Sequence, residues 1–223
     1  HGRERESMVT MQVLPNREDW LKHRTKIGGS DASAILGKNP YKTNVELWKD
    51  KAFHLMPEDI SDKPYVKYGI QAEPHLRALF SLDFPEKKVF YEENNMWTND
   101  KYPFAHASLD GWFEDPDGKK GILEIKTTNI LNSSQRRNWK DHYIPENYYV
   151  QVLHYLMVTE FDYVVIAAQL KSVFDGYVTK QTIYETVYRN EKEEEIAYLA
   201  DEERKFWTCV EDMKAPHVKL PEI

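Results

Sequence analysis

The chain has 223 residues, 41% of them hydrophobic and 30% charged, with a formal net charge of −7. That length suits one domain with an ample core, and no run approaches the roughly 18 apolar residues of a membrane helix, nor is a signal peptide visible. A single cysteine, Cys209, excludes an internal disulfide and any multi-cysteine cluster, iron–sulfur clusters included, and points to a reducing, cytoplasmic setting.

In chain order, residues 1–7 read as the remnant of an expression tag, leaving 8–223 as a single domain. Residues 16–25 suggest a short helix with Trp20 and Leu21 facing inward. Ser30 and Asp31 precede the run 32–36 and Gly37 follows it, a helix start and a helix stop. Residues 45–51 form another short helix, and 57–64 a polar loop. Residues 65–82 read as a longer helix with Ile70, Leu76, Leu79 and Phe80 apolar, Pro74 marking a first turn or a kink. The period then changes: 105–113 and 121–127 are strand-like and flank Asp115-Pro116-Asp117-Gly118, a turn sequence, so together they predict a hairpin. A helix over 145–159, strands over 161–170 and 177–188 and a terminal helix over 190–214 complete the series. This order predicts a mixed α/β fold with a small central sheet flanked by helices.

Charge is uneven along this series. Carboxylates crowd residues 191–203, most simply a solvated helix face. Arg17, Lys22, Arg24 and Lys26 crowd the N-terminal region, and Arg136, Arg137 and Lys140 the middle. Local basic patches, with metal ions offsetting carboxylates, leave a polyanion partner open despite the acidic total.

Side chains two apart on a strand share a face, so Glu124 and Lys126 point one way while Leu123 and Ile125 point into the core. Asp110 ends the preceding strand, and the hairpin brings it toward Glu124. Two carboxylates on neighbouring strands suit a hard divalent cation, and an ammonium beside them suits charge developing on a phosphate or the placing of a water. Alone, Glu-x-Lys is a common surface ion pair and Asp-Gly a common turn. Gln151 and Tyr155, one helical turn apart, share a face that could overlie this group. His75, His106 and His154 lack ligand spacing and read as structural. Trp112, Trp139, Tyr148 and Tyr149 read chiefly as packing residues, Tyr148 being the best placed to stack on a base.

Asp110, Glu124-x-Lys126 and Gln151-x-x-x-Tyr155 together resemble the PD-(D/E)xK nuclease superfamily. Arg24, residues 28–37 (GGSDASAILG), residues 69–73 (GIQAE), residues 108–111 (SLDG) and residues 124–128 (EIKTT) resemble, more narrowly, its YqaJ and lambda-exonuclease group. The resemblance spans roughly residues 20–170. Leu109 stands where the superfamily name has its proline. The resemblance implies a restriction-endonuclease-like core and a Mg²⁺-dependent, Mn²⁺-tolerant 5′-to-3′ exonuclease acting on ends of double-stranded DNA. Asp110, Glu124 and the Ile125 carbonyl would bind metal, Glu73 would support them, and Lys126 and Gln151 would assist the nucleophile. Arg24 and Ser30 would hold the terminal 5′-phosphate, Asp31 being an awkward neighbour for it, with Tyr148 and Tyr155 also on the DNA. It further implies a ring-shaped trimer, a phage single-strand annealing protein as partner, and a phage or prophage origin in a bacterial cytoplasm. An endonuclease or junction resolvase of the same superfamily, or a non-catalytic DNA-binding module, are the alternatives.

Overall fold

A computed structural model describes residues 6–221, so the expected tag remnant at 1–7 falls largely outside the described residues. The architecture is mixed α/β, as the alternation of periods predicts. A five-stranded sheet runs β2 (Lys88–Phe90), β4 (Gly111–Glu114), β5 (Lys120–Ile130), β6 (Tyr163–Phe174), β7 (Tyr177–Tyr188). Only β5 and β6 are parallel, joined through helix α6 (Glu146–Thr159), the crossover that parallel pairing demands.

β5 sits between the two packed layers. Its even side, at Ile122, joins the larger core with β6, α6, α2 (Gly29–Ile35), α3 (Asn44–Ala52) and α7 (Glu193–Glu211). Its odd side, Leu123 and Ile125, packs on α4 (Pro64–Asp83) through Leu76 and Phe80. A strand buried on both faces carries a continuous apolar run, which is why any polar side chain within it lies deep. α6 is buried from Val150 to Thr159, sandwiched between the sheet and the other helices. The β4–β5 hairpin closes over the expected turn, with Gly118 at φ +89°.

Several expectations need correction. The strand expected over 105–113 is β4 only from Gly111 onward; Ala105 and Ala107 instead make single bridges to Ile27 and Trp97, because that segment threads between elements rather than along one. Pro74 lies in the interior of α4 rather than in its first turn; it has no N–H to offer the Ile70 carbonyl, and Ile70 itself is 61% exposed to water. α1 (Arg17–His23) buries neither Trp20 nor Leu21 fully. A two-stranded ribbon of β1 (Val9–Val13) and β3 (Asn95–Asn99), strand β2 and helix α5 (Ser133–Arg137) were not expected at all. They are three to five residues long, too short to establish a period.

Candidate active site

The backbone around Asp110 is fixed first. The Asn95 amide brackets Leu109, donating to its carbonyl and accepting from its N–H, both at 2.8 Å. Arg77 Nε of α4 donates to the Asp110 carbonyl at 2.7 Å, with its guanidinium stacked on Tyr91 at 3.5 Å. Asp110 Oδ2 accepts from Ile125 N–H at 2.9 Å, just before β4 begins rather than at a strand's end as expected. N–H and C=O of one extended residue project to the same strand edge, so the Ile125 carbonyl faces the Asp110 side.

Three carboxylates meet there. Asp110 lies within hydrogen-bonding reach of both Glu73 and Glu124. Burial, then Asp110, pushes the Glu73 carboxyl up to about 8, against the opposing pull of Arg77. Burial, then Asp110, also raises Glu124 well above the usual range, against Lys126. Among the described residues no three His, Cys, Asp or Glu side chains form a ready-made metal cage. The donor set is smaller: two carboxylates and a backbone oxygen, with Glu73 behind. All are hard oxygens, and Glu124 Oε2 is buried with no partner. A proton or a divalent cation is what relieves such a group, so the residues fit Mg²⁺.

Lys126 closes the other side. Its Nζ stands 3.2 Å from Glu124 Oε1, donates to Gln151 Oε1 at 2.7 Å, and lies 4.5 Å above the Tyr148 ring. Burial works against its charge, but Glu124, Tyr148 and Asp110 together outweigh it and the amine is held above its ordinary value. It is therefore an ammonium. Gln151 Nε2 donates onward to the Tyr155 hydroxyl at 2.8 Å. Tyr155 is 5% exposed, so it presents no face to DNA as expected of it; it positions Gln151. Tyr148 is half-buried against Trp139, rings 5.8 Å apart.

Arg24 and Ser30 also come together, Arg24 Nη2 donating to Ser30 Oγ at 2.8 Å. They line a cavity of about 490 Å³ between α1, α2 and α3. Asp31 lines the same cavity, accepting from Gly28 N–H at 2.9 Å and pairing with Lys51 at 3.0 Å. Burial alone would raise it, yet Lys51, then Arg24, hold it below the usual carboxylate range, so it stays ionised beside Ser30, its charge offset by those two cations. The two groups of residues are contiguous through Tyr155. A Cβ on Gly29 would stand 2.4 Å from Tyr155 Cε1, so only glycine lets α2 lie this close to α6. Burial chiefly, then Glu124 and Asp110, raise that phenol, while Arg24 opposes them from the other side.

Sequence reasoning passed over Arg77, Asn95 and Lys51. Arg77 had a signal, since it follows Glu73 by four residues and lies 3.6 Å from it; the other two had none. His154, read as structural, is fully buried, Nδ1 at 2.9 Å from Glu203 and Nε2 at 2.8 Å from the His106 carbonyl.

The fold is shared with an alkaline exonuclease from Laribacter hongkongensis, at 17% identity and a TM-score of 0.63, over 88% of this chain and 93% of that one. The same enzyme in complex with dAMP matches with a TM-score of 0.62 at the same identity and coverage. This likeness establishes the restriction-endonuclease-like mixed sheet flanked by helices. A Bacillus subtilis (strain 168) protein described as uncharacterized protein YqaJ is 40% identical over 144 residues, 64% of this chain and 42% of that protein. The chain thus spans less than half the length of that curated relative. Residues 19–162, which include every site residue placed above except Glu203, match the model of the YqaJ-like viral recombinase domain. By that match, the chain belongs to the YqaJ-like viral recombinase domain family.

Proposed function

We propose that this protein is a Mg²⁺-dependent exonuclease that degrades one strand of linear double-stranded DNA from its 5′ end and leaves a 3′ single-stranded tail. The observation that carries the reading is the convergence of Asp110, Glu124 and an ammonium, Lys126, on one strand edge, with Glu124 Oε2 lacking any partner. Asp110, Glu124 and the Ile125 carbonyl would hold the cation, Glu73 supporting, and Mn²⁺ would substitute. When bound, the cation supplies Lewis-acid polarisation of the phosphate and neutralises the carboxylates.

This chain's own residues do the rest. Lys126 keeps its proton and stabilises charge growing on the phosphate oxygens. Gln151, tied to Tyr155 and accepting from Lys126, fixes where that amine points and offers its amide to a water at the scissile bond. Arg24 and Ser30 would clamp the terminal 5′-phosphate, a fork-shaped donor beside a hydroxyl. α2 has only seven residues, so Arg24 rather than a helix dipole carries that contact. The single domain would then divide into an N-terminal helical end-binding region, the nuclease core and an acidic C-terminal helix. A ring-shaped trimer, a phage single-strand annealing protein as partner and a bacterial cytoplasm, under phage or prophage control, complete the proposal. Among the described residues no helix is long and apolar enough to cross a membrane.

The test combines linear 5′-phosphorylated, linear 5′-hydroxyl and covalently closed circular duplexes with Mg²⁺. Mononucleotide release from the phosphorylated linear duplex, slower release from the hydroxyl form and an intact circle are expected. Cutting of the circle would replace the exonuclease with an endonuclease. Equal rates on both linear forms would remove the end-binding role of Arg24 and Ser30. Full activity in excess chelator, or in Lys126→Ala, would overturn the whole reading.

A further inference from the structure

Past Lys126, β5 continues as Thr127, Thr128 and Asn129 beneath the N-terminal half of α4. These three line a cavity of about 350 Å³ with Tyr65, Tyr68 and Lys171. Asn129 of β5 is the register partner of Lys171 of β6, and Lys171 is the register partner of Lys180 of β7. Two lysines directly opposite each other on neighbouring strands repel. Among the described residues neither amine makes a salt bridge. Both stand over one ring, Tyr68, at 4.8 and 5.5 Å, and the Tyr68 hydroxyl donates to Gln169, which locks that ring in place. Tyr65, at the rim, is 55% exposed.

Paired cations, hydroxyl and amide donors, and an accessible aromatic face make up the combination that tracks a sugar–phosphate backbone while stacking an unpaired base. The location suits it too. Asn129 lies three residues beyond Lys126, roughly 10 Å along an extended strand, and α4, which lines the cavity through Tyr65 and Tyr68, carries Glu73 further along the same helix. We infer that this groove binds the backbone of a single nucleic-acid strand as it leaves or approaches the candidate active site, with Lys171 and Lys180 on phosphates and Tyr65 on a base. The inference rests on the nuclease reading for its substrate.

The experiment measures binding of fluorescein-labelled oligo(dT) by anisotropy, in chelator, across a series of salt concentrations. The parent, Lys171→Gln/Lys180→Gln and Tyr65→Ala proteins are compared. Removing two phosphate contacts should flatten the dependence of log affinity on log salt by about 1.4, from about 0.7 per contact on a single strand. Tyr65→Ala should weaken binding about tenfold with the slope unchanged. Because the double substitution relieves a repulsion, its melting temperature should equal or exceed the parent's; a lower one would mean the lysines serve the fold and would overturn the inference. So would an unchanged salt slope, a parent that binds no oligo(dT), or a poly-glutamate that binds the parent as tightly as the oligonucleotide does. Digestion of linear duplex in Mg²⁺, measured separately, keeps the two readings apart. Digestion by a parent whose lysine variant binds oligo(dT) like the parent sinks the groove alone, whereas lysine-dependent binding without digestion sinks the nuclease alone.

Discussion

Glu73→Gln changes one atom in the carboxylate group and should change how stability depends on pH. The glutamate has an ordinary value of 4.5 and stands at about 8 here, through burial first and Asp110 second. Between those values the folded protein retains a proton that the unfolded chain has released. The stability this confers is complete below about pH 4.5 and disappears as pH rises through about 8. At about 1.4 kcal/mol per pH unit, the whole span would amount to about 5 kcal/mol. The side chain is 29% exposed, so solvent screening reduces this to about 2 kcal/mol. For a chain of this size that corresponds to a fall of roughly 4–8 °C in melting temperature, most of it between pH 6 and pH 9. Scanning calorimetry in chelator reads it directly. Glu73→Gln should show a smaller fall, the remainder belonging to Glu124, whose carboxyl is raised in the same direction. Mg²⁺ should restore the parent more at pH 9 than at pH 6, because it binds the ionised carboxylates. If parent and variant lost stability equally between pH 6 and pH 9, the account of the site as mutually repelling carboxylates would be wrong.

Gln151→Ala should leave the fold nearly intact, costing about 1 kcal/mol for the unpaired Tyr155 hydroxyl, while lowering kcat on linear duplex about 100-fold with KM little changed; a KM effect alone would make Gln151 a binding residue. Gly29→Ala should destabilise by about 2 kcal/mol, because its Cβ would meet Tyr155 at 2.4 Å and α2 must back away from α6; an unchanged urea midpoint would show that the two helices are not held this close. His154→Leu strands the fully buried Glu203 carboxylate and should cost about 3 kcal/mol or more, whereas His154→Leu with Glu203→Met should recover most of it. Equal stability of the single and double variants would show that the pair was never ionised.

How much was legible beforehand depended on the range of the interaction. The elements around the site could be read because each has a local period: alternation across 121–127, helical spacing across 145–159, the turn residues at 115–118. The placement of Glu124 beside Lys126 followed from that alternation alone. The ribbon of β1 and β3 was not legible, because five residues exposed along much of β1 carry no period. Nor was the interior position of Pro74, since its cost depends on which carbonyl loses a donor and whether water reaches it.

What the sequence by itself determined is the order and local form of the pieces, and the chemical types they carry: a carboxylate at the open end of a hairpin, a carboxylate and an amine two apart on its second strand, a polar pair one turn apart on a helix. What only the tertiary structure decided is how those pieces are aimed. Asn95 and Arg77 grip the backbone at Leu109 and Asp110, Lys51 pairs with Asp31 beside Ser30, and Tyr155 lies buried under Gly29 rather than out on DNA. Each of these joins residues with no shared period and, in most cases, no proximity in the chain. Local patterning constrains neighbours a turn or a pleat apart; packing selects the rest, because only in the folded core do burial and close approach make one partner cheaper than water.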